Sequence, residues 1–451
     1  MLSGCAQMPP LGTSLEPVVT PKASVIKPAP PAAIPKPVTV APSPPVARAV
    51  PVVPDVLVQS APTLRPPSGI EGQPTRIGLL LPLNGPHGAG PLGQAMLNAA
   101  MLALFDIGGE RLLLMPRDTG GTPEGAAAAA ALVGEGAEII LGPLFNTSVQ
   151  ATAVITRARS LPMIAFSSDR RVAGNGVYLL SFTPSQEVDA VIGFAVSQGL
   201  RRFAVLAPND LYGLAVLTAA REAVLRRGAE LTQTEFYAPD GAELDRSVKR
   251  LADYHARRQA LLARRRELKK EEDEISKRML EALEKHDTLG DLDFDAVLLP
   301  EGGELLKSLA PLLPYYDIDT AEIRLLGTGL WDDTKVHLEP ALLGGWFAGA
   351  DRVAAAEFRL RYGATFGHPP PRLASLAYDA MALAAVLAQE AGGPDFSARA
   401  ITNPDGFVGS DGIFRFGPDG TAERGMAVLE IERNGFQVRR KAPTIFESLS
   451  N

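Results

Sequence analysis

From Arg76 onward, short apolar runs alternate with segments whose apolar residues return every three or four positions. The runs Ile77–Leu81, Leu112–Met115, Ile139–Leu141, Pro162–Phe166 and Val177–Phe182 predict five strands. Between them, Leu92–Asp106, the alanine-rich Glu124–Leu132 and Ser148–Arg159 predict helices. The rhythm then repeats, with helix Glu187–Gly199, strand Phe203–Leu206, helix Leu214–Arg227 and strands at Leu231–Phe236, Ala296–Leu299, Arg324–Leu326 and Trp346–Ala348. Unbroken apolar strands divided by amphipathic helices predict parallel sheets covered on both faces. Two such sheets in one chain predict two Rossmann-like α/β lobes. A cleft then lies between them, because ligands of open α/β sheets sit beyond the carboxyl ends of the strands.

The chain before Arg76 has a different character. It holds 18 of the 39 prolines, and the first aromatic residue of the whole chain is Phe105. So little bulky apolar surface cannot offset the entropy of folding, so residues 6–74 read as a disordered Pro/Ala-rich tether. Stretches such as Pro28-Ala29-Pro30-Pro31 favour extended polyproline II. At about 3.1 Å per residue that tether spans at most about 210 Å. Ahead of it, Leu2-Ser3-Gly4-Cys5 resembles a bacterial lipobox and holds the only cysteine of the chain. Residues 1–5 then read as the remnant of a lipoprotein signal, with a longer natural start supplying its basic and apolar regions. Lipidation of Cys5 is expected.

Composition removes several classes of function. The 451 residues carry a net charge of −7, which offers no basic footprint for nucleic acid. No apolar run reaches the roughly 18 residues of a membrane-spanning helix. One cysteine excludes an internal disulfide framework and a cysteine zinc site. The five histidines are scattered, with no metal-spaced pair. There is no nucleophile elbow, P-loop or Cys/His pair, so neither an enzyme nor a cofactor is expected, and binding is favoured over chemistry.

Four motifs remain. Gly88-Ala89-Gly90-Pro91-Leu92-Gly93, with Asp118 after the next strand, spells a dinucleotide fingerprint. Its glycines start seven residues after Leu81 and Pro91 removes a backbone donor, so a flexible loop opening a helix is the alternative reading. Three polar loops follow strands: Asn146-Thr147-Ser148, Ser167-Ser168-Asp169, and Asn209-Asp210 leading to Tyr212. Each suits a carboxylate or phosphate at a helix start, and each also suits plain N-capping.

Residues 242–289 contain neither glycine nor proline, and Tyr254–Asp287 carries ten Lys/Arg and eight Asp/Glu. Leu261, Leu268 and Ile275 recur every seven residues, followed by Met279 and Leu283. The chain must return to the sheet, so these residues predict a helical hairpin, 254–287, turning near Lys269–Glu274. It serves either as a partner-contact arm or as a solvated insertion held by side-chain ion pairs.

Arg76-Ile77-Gly78-Leu79-Leu80-Leu81-Pro82-Leu83-Asn84-Gly85, with Gly93-Gln94-Ala95-Met96, resembles the opening of the penicillin-binding protein activator family. Ile140–Leu144, Pro162–Phe166, Asp210–Gly213, Leu376–Ala380 and Gly409–Phe416 fit that resemblance over 75–440. It implies the type 1 periplasmic binding protein fold, with lobe crossings near Pro184, Ala350 and Asn403. The first lobe is then 75–184 with 351–403, the second 185–350 with 404–440, and 441–451 a tail. It also implies a non-enzymatic, periplasm-facing lipoprotein of the outer membrane that activates a class A penicillin-binding protein. Known activators carry a helical-repeat domain where this chain has its tether.

The alternative is a solute receptor for an amino acid, feeding an ABC transporter. There Asn146, Thr147, Ser148, Ser167 and Ser168 hold a ligand carboxylate, and Tyr212, next to Asp210, stacks on the ligand. The acid usual near Thr328 is missing and Glu301 stands on another cleft-side loop, while Asp169 repels a carboxylate. A small solute or a muropeptide is the corresponding cleft ligand.

Overall fold

The computed structural model describes residues 73–446 apart from 109–110, 272 and 334. The lipobox, Cys5 and nearly all of the tether lie outside the described residues.

The first lobe begins β1 (Thr75–Leu81), α1 (Ala89–Ile107), β2 (Leu112–Asp118), α2 (Pro123–Val133), β3 (Ile139–Leu141), α3 (Asn146–Ala158), β4 (Met163–Ala165) and β5 (Val177–Leu179). Its strands form a five-stranded parallel sheet in the order β2-β1-β3-β4-β5. Alternation along the strands sorts the core into two layers. Ile77, Leu79 and Leu81 pack on the α1 side, whereas Leu80, Ile140 and Met163 pack with Ala129, Ala130 and Val149 of α2 and α3. Helix α2 starts where the Thr122 side chain accepts a hydrogen bond from the Gly125 N–H at 3.0 Å and Pro123 takes the first turn.

The second lobe follows with α4 (Pro184–Ser197), β6 (Arg202–Pro208), α5 (Leu211–Arg226), β7 (Glu230–Tyr237), α6 (Leu244–Leu251), α7 (Tyr254–Leu268) and α8 (Glu274–Leu283). It continues through β8 (Ala296–Leu299), α9 (Gly303–Leu309), α10 (Leu312–Tyr315), β9 (Arg324–Gly327) and β10 (Trp346–Gly349). The chain then returns to the first lobe with α11 (Arg352–Phe366), α12 (Ala374–Ala388), α13 (Ala398–Ile401), β11 (Phe407–Gly409), β12 (Gly412–Phe416) and β13 (Ala422–Arg424). Strands β14 (Ala427–Glu432) and β15 (Gly435–Arg440) complete the second sheet, ordered β15-β14-β10-β9-β8-β6-β7. Its strands from β10 to β7 are parallel, and β14 and β15 are antiparallel additions.

The last crossing lies elsewhere than the sequence reading placed it. Residues 404–424 were expected in the second lobe. Instead β11, β12 and β13 form a small antiparallel sheet, and Phe414, Phe416 and Ala422 are buried in the same core as Leu79 and Tyr178. The chain leaves the first lobe near Gly425, once those aromatic side chains are covered.

Helices α7 and α8 run antiparallel, because Arg257 and Arg265 near the two ends of α7 reach the carbonyls of Gly290 and of Leu283 and His286. Asp273 caps α8 by accepting from the N–H groups of Ile275 and Ser276, which starts the helix without a glycine in the turn. The heptad stripe does not survive the turn. Leu261 and Leu268 are buried, whereas Ile275 and Met279 are exposed and Ser276 is the buried position of α8.

Candidate functional site

Both lobes build the same corner, a parallel strand ending in a tight loop that opens a helix. At the end of β3, Gly142 adopts φ 88°, and a Cβ there would collide with the Leu80 carbonyl. At the end of β6, Asp210 caps α5 by accepting from the Gly213 N–H at 2.8 Å, and Gly213 lies against the Pro208 carbonyl. These corners fix where the candidate residues stand.

In the first lobe the loops after β3 and β4 meet. Asn146 donates to the Asp169 carboxylate at 3.2 Å, and the Asp169 N–H donates to the Ser167 hydroxyl at 3.2 Å. Arg171 grips Asp169 through Nε at 2.9 Å and a second nitrogen at 2.8 Å. That bidentate contact, with help from Asn146, holds the Asp169 carboxyl well below the usual carboxylate range. Thr147 and Ser168 are exposed. Ser148 departs from expectation, because it is fully buried and its hydroxyl has no hydrogen-bond partner among the described residues. It faces the interior of the lobe, so the first turn of α3 offers Asn146 and Thr147 but not Ser148 to a ligand.

In the second lobe the candidates converge on a desolvated aromatic wall. The hydroxyls of Tyr212 and Thr328 are hydrogen-bonded at 2.9 Å, and Thr328 is fully buried. The Tyr237 hydroxyl donates to Glu301 at 2.6 Å. Burial pushes both phenols well above their usual range, reinforced by Glu187 for Tyr212 and by Glu301 for Tyr237. Among the described residues, no hydrogen bond joins this set to Asn146, Thr147, Ser167 or Ser168.

Two residues outside the sequence candidates complete the wall. Glu187, on α4, accepts from the Gly329 N–H at 3.1 Å and from Arg372 at 2.6 Å. Arg372 comes from the first lobe, just before α12, so this pair ties the lobes together beside Thr328. A Cβ on Gly329 would collide with the Arg372 guanidinium, which therefore fills the space next to that loop. A sequence signal existed for Glu187: it occupies the core-facing stripe of α4 with Val191 and Ala195, where an acid needs a partner.

Arg372 also lies over the Phe182 ring, with its carbon 4.3 Å from the centroid, and Arg424 approaches the same ring at 4.8 Å. Arg424 is paired at 3.5 Å with Asp379, both side chains being essentially inaccessible. Asp332 adds another crossing contact, to Arg352 at 2.7 Å and Arg359 at 2.9 Å. The hinge side of the cleft is therefore a connected set of charges and rings. The Gly88–Gly93 motif is no phosphate loop but the start of α1: Gly88 is its N-cap at φ 83°, and a Cβ on Gly93 would crowd the Pro82 carbonyl. Asp118 is engaged by the Asn84 side chain at 2.8 Å.

The two-lobed architecture agrees with relatives. The sequence profile of the periplasmic binding protein family matches residues 74–436, and the chain belongs to that family. A solved structure from Rhodospirillum rubrum, ascribed to branched-chain amino acid ABC transport, superposes with TM-score 0.64 at 19% identity, covering 81% of this chain and 99% of its own. A leucine-binding protein of Thermotoga maritima gives TM-score 0.54 at 18% identity, covering 82% of this chain and 98% of its own. A solute-binding protein of R. palustris, solved with benzoate, gives TM-score 0.56 at 16% identity, covering 84% of this chain and 98% of its own. These likenesses establish the type 1 binding-protein fold. An uncharacterised protein of Rickettsia prowazekii is 19% identical over 183 residues, 41% of this chain, and the chain spans 48% of that relative's length.

Proposed function

We propose that this chain is a non-enzymatic, periplasm-facing binding protein that activates a class A peptidoglycan synthase, anchored through a lipid on Cys5. The observation that carries the reading is the internal pairing of the cleft walls. Asp169 is held by Arg171 and Asn146, Tyr212 by Thr328, and Glu187 by Arg372 from the opposite lobe. A clamp for an amino acid needs such groups free for the ligand's carboxylate and amine. With them occupied, the scaffold is better used to hold a partner than to carry a solute, and the α7–α8 hairpin is the contact surface in this reading. Activation then follows from binding the active conformation of the synthase more tightly than the inactive one.

The test is glycan polymerisation by a purified class A synthase with and without the chain. Stimulation by the intact chain that falls at least fivefold when Tyr254–Asp287 is replaced by a short glycine linker is the expected result. Stimulation unchanged by that deletion removes the hairpin from the mechanism, and none with the intact chain removes the activator reading.

A solute receptor is the second reading, favoured by Glu301, whose carboxylate has no ion-pair partner among the described residues and accepts only from Tyr237 and the Gly302 N–H. It could pair with a ligand's amine. A thermal-shift screen with amino acids, small carboxylates and muropeptides tests it. A ligand at 100 times its Kd adds about 2.7 kcal/mol to stability.

A further inference from the structure

One cavity lies away from the cleft. It lies at the opposite, amino-terminal edge of the first-lobe sheet, where Leu161 and Pro162 lead into β4 and Asn175 and Gly176 lead into β5. Its volume is about 580 Å³, within the range of small-molecule sites. Helix α3 connects the two places: Asn146 opens it at the cleft, and Arg157 stands eleven residues on, about 16 Å along the axis.

Three features define what this cavity accepts. Its lining sets apolar Leu161, Pro162, the Tyr178 ring and Phe396 beside polar Ser160, Asn175 and Ser397. Arg157 supplies a positive charge without an acidic partner among the described residues. Its guanidinium donates only to the carbonyls of Gly174 at 3.2 Å and Asn175 at 3.3 Å, which fixes its position but leaves its charge uncompensated. Tyr178 is 6% exposed and its hydroxyl makes no hydrogen bond among the described residues, yet it is not sealed among the inaccessible unpaired atoms of the core. A buried phenol is ordinarily paired. Tyr178 lines the cavity.

We propose that this cavity is a second ligand site, separate from the cleft, for small carboxylates carrying a flat apolar ring. The ring packs on Pro162, Leu161 and Phe396, the carboxylate pairs with Arg157, and the Tyr178 hydroxyl donates to it. A guanidinium is suited to a carboxylate because its N–H groups match the two oxygens, and the phenol adds a donor that otherwise has no acceptor.

The test is isothermal titration of the purified full chain with benzoate, its neutral isostere benzamide, and hexanoate. The expected result is benzoate binding at least tenfold tighter than benzamide and tighter than hexanoate. Arg157→Gln weakens benzoate about tenfold, with partial rescue by Arg157→Lys, and Tyr178→Phe weakens it about threefold. Tyr178→Phe keeps the ring and its packing against Phe416, and circular dichroism checks that both Arg157 variants remain folded. Tyr212→Phe, on the cleft wall, separates the two sites. Loss of benzoate binding in Tyr212→Phe with retention in Arg157→Gln places the ligand in the cleft and overturns the proposal. Equal affinity for benzamide, tighter binding of hexanoate, or no benzoate binding at millimolar concentration overturns it as well.

Discussion

The two walls of the cleft start from one plan and end in different chemistry. After β3 and β4 the first lobe sets short polar side chains near solvent, and its one strong interaction joins Asp169 to an Arg171 side chain that is 81% exposed. In the second lobe, Tyr237, Thr328 and the Glu187 carboxylate of α4 are buried and Tyr212 is half-buried, Glu187 being only 5% exposed. The difference shows that a strand–loop–helix corner fixes position, while the depth of burial fixes energy. Removing one partner of an ion pair costs little in the first wall and much in the second, where the other charge is left buried and unpaired.

The comparison breaks first at Glu187. Removing it in Glu187→Ala strands the Arg372 guanidinium and the Gly329 N–H, and costs about 3 kcal/mol in urea unfolding. A loss as small as that of an exposed pair would mean that the junction is wetter than its geometry states. Next, Tyr237→Phe removes the donor to Glu301 and costs about 1–2 kcal/mol.

Titration separates the walls by sign. The raised phenol pKa values of Tyr212 and Tyr237 give a contribution that is complete below pH about 10 and is lost as pH rises beyond it. The lowered Asp169 value gives one that is complete above pH about 3.9 and is lost as pH falls. Unfolding midpoints measured across pH should therefore show an alkaline limb that Tyr212→Phe flattens and Asp169→Asn leaves alone. The smallest effect is that of Asp169→Asn at neutral pH, below about 1 kcal/mol because Arg171 is exposed. A loss comparable with Glu187→Ala would erase the contrast between the walls.

The strands were legible because burial wrote them as unbroken apolar runs: Ile139–Leu141 and Ala296–Leu299 have the same limits in the sequence reading and in the structure. The polar corners were legible as loops, since strand ends and helix caps use recognisable residues. What periodicity could not supply was the direction of Ser148, which depends on how α3 rolls against the sheet. The final crossing was also hidden, because Phe414 and Phe416 alternate as any buried strand does, whichever lobe covers them. Glu187 and Arg372 are 185 residues apart and meet only once both lobes are assembled.

The α7–α8 hairpin has a mechanical consequence. Helix α7 is 15 residues long, about 22 Å at 1.5 Å per residue, and α6 and residues 289–290 root it in the second lobe. Each degree by which that lobe turns about an axis at the root carries the tip through about 0.4 Å. The hairpin is thus a lever that magnifies small changes at the hinge, and a molecule gripping its tip would exert torque on the lobes in return.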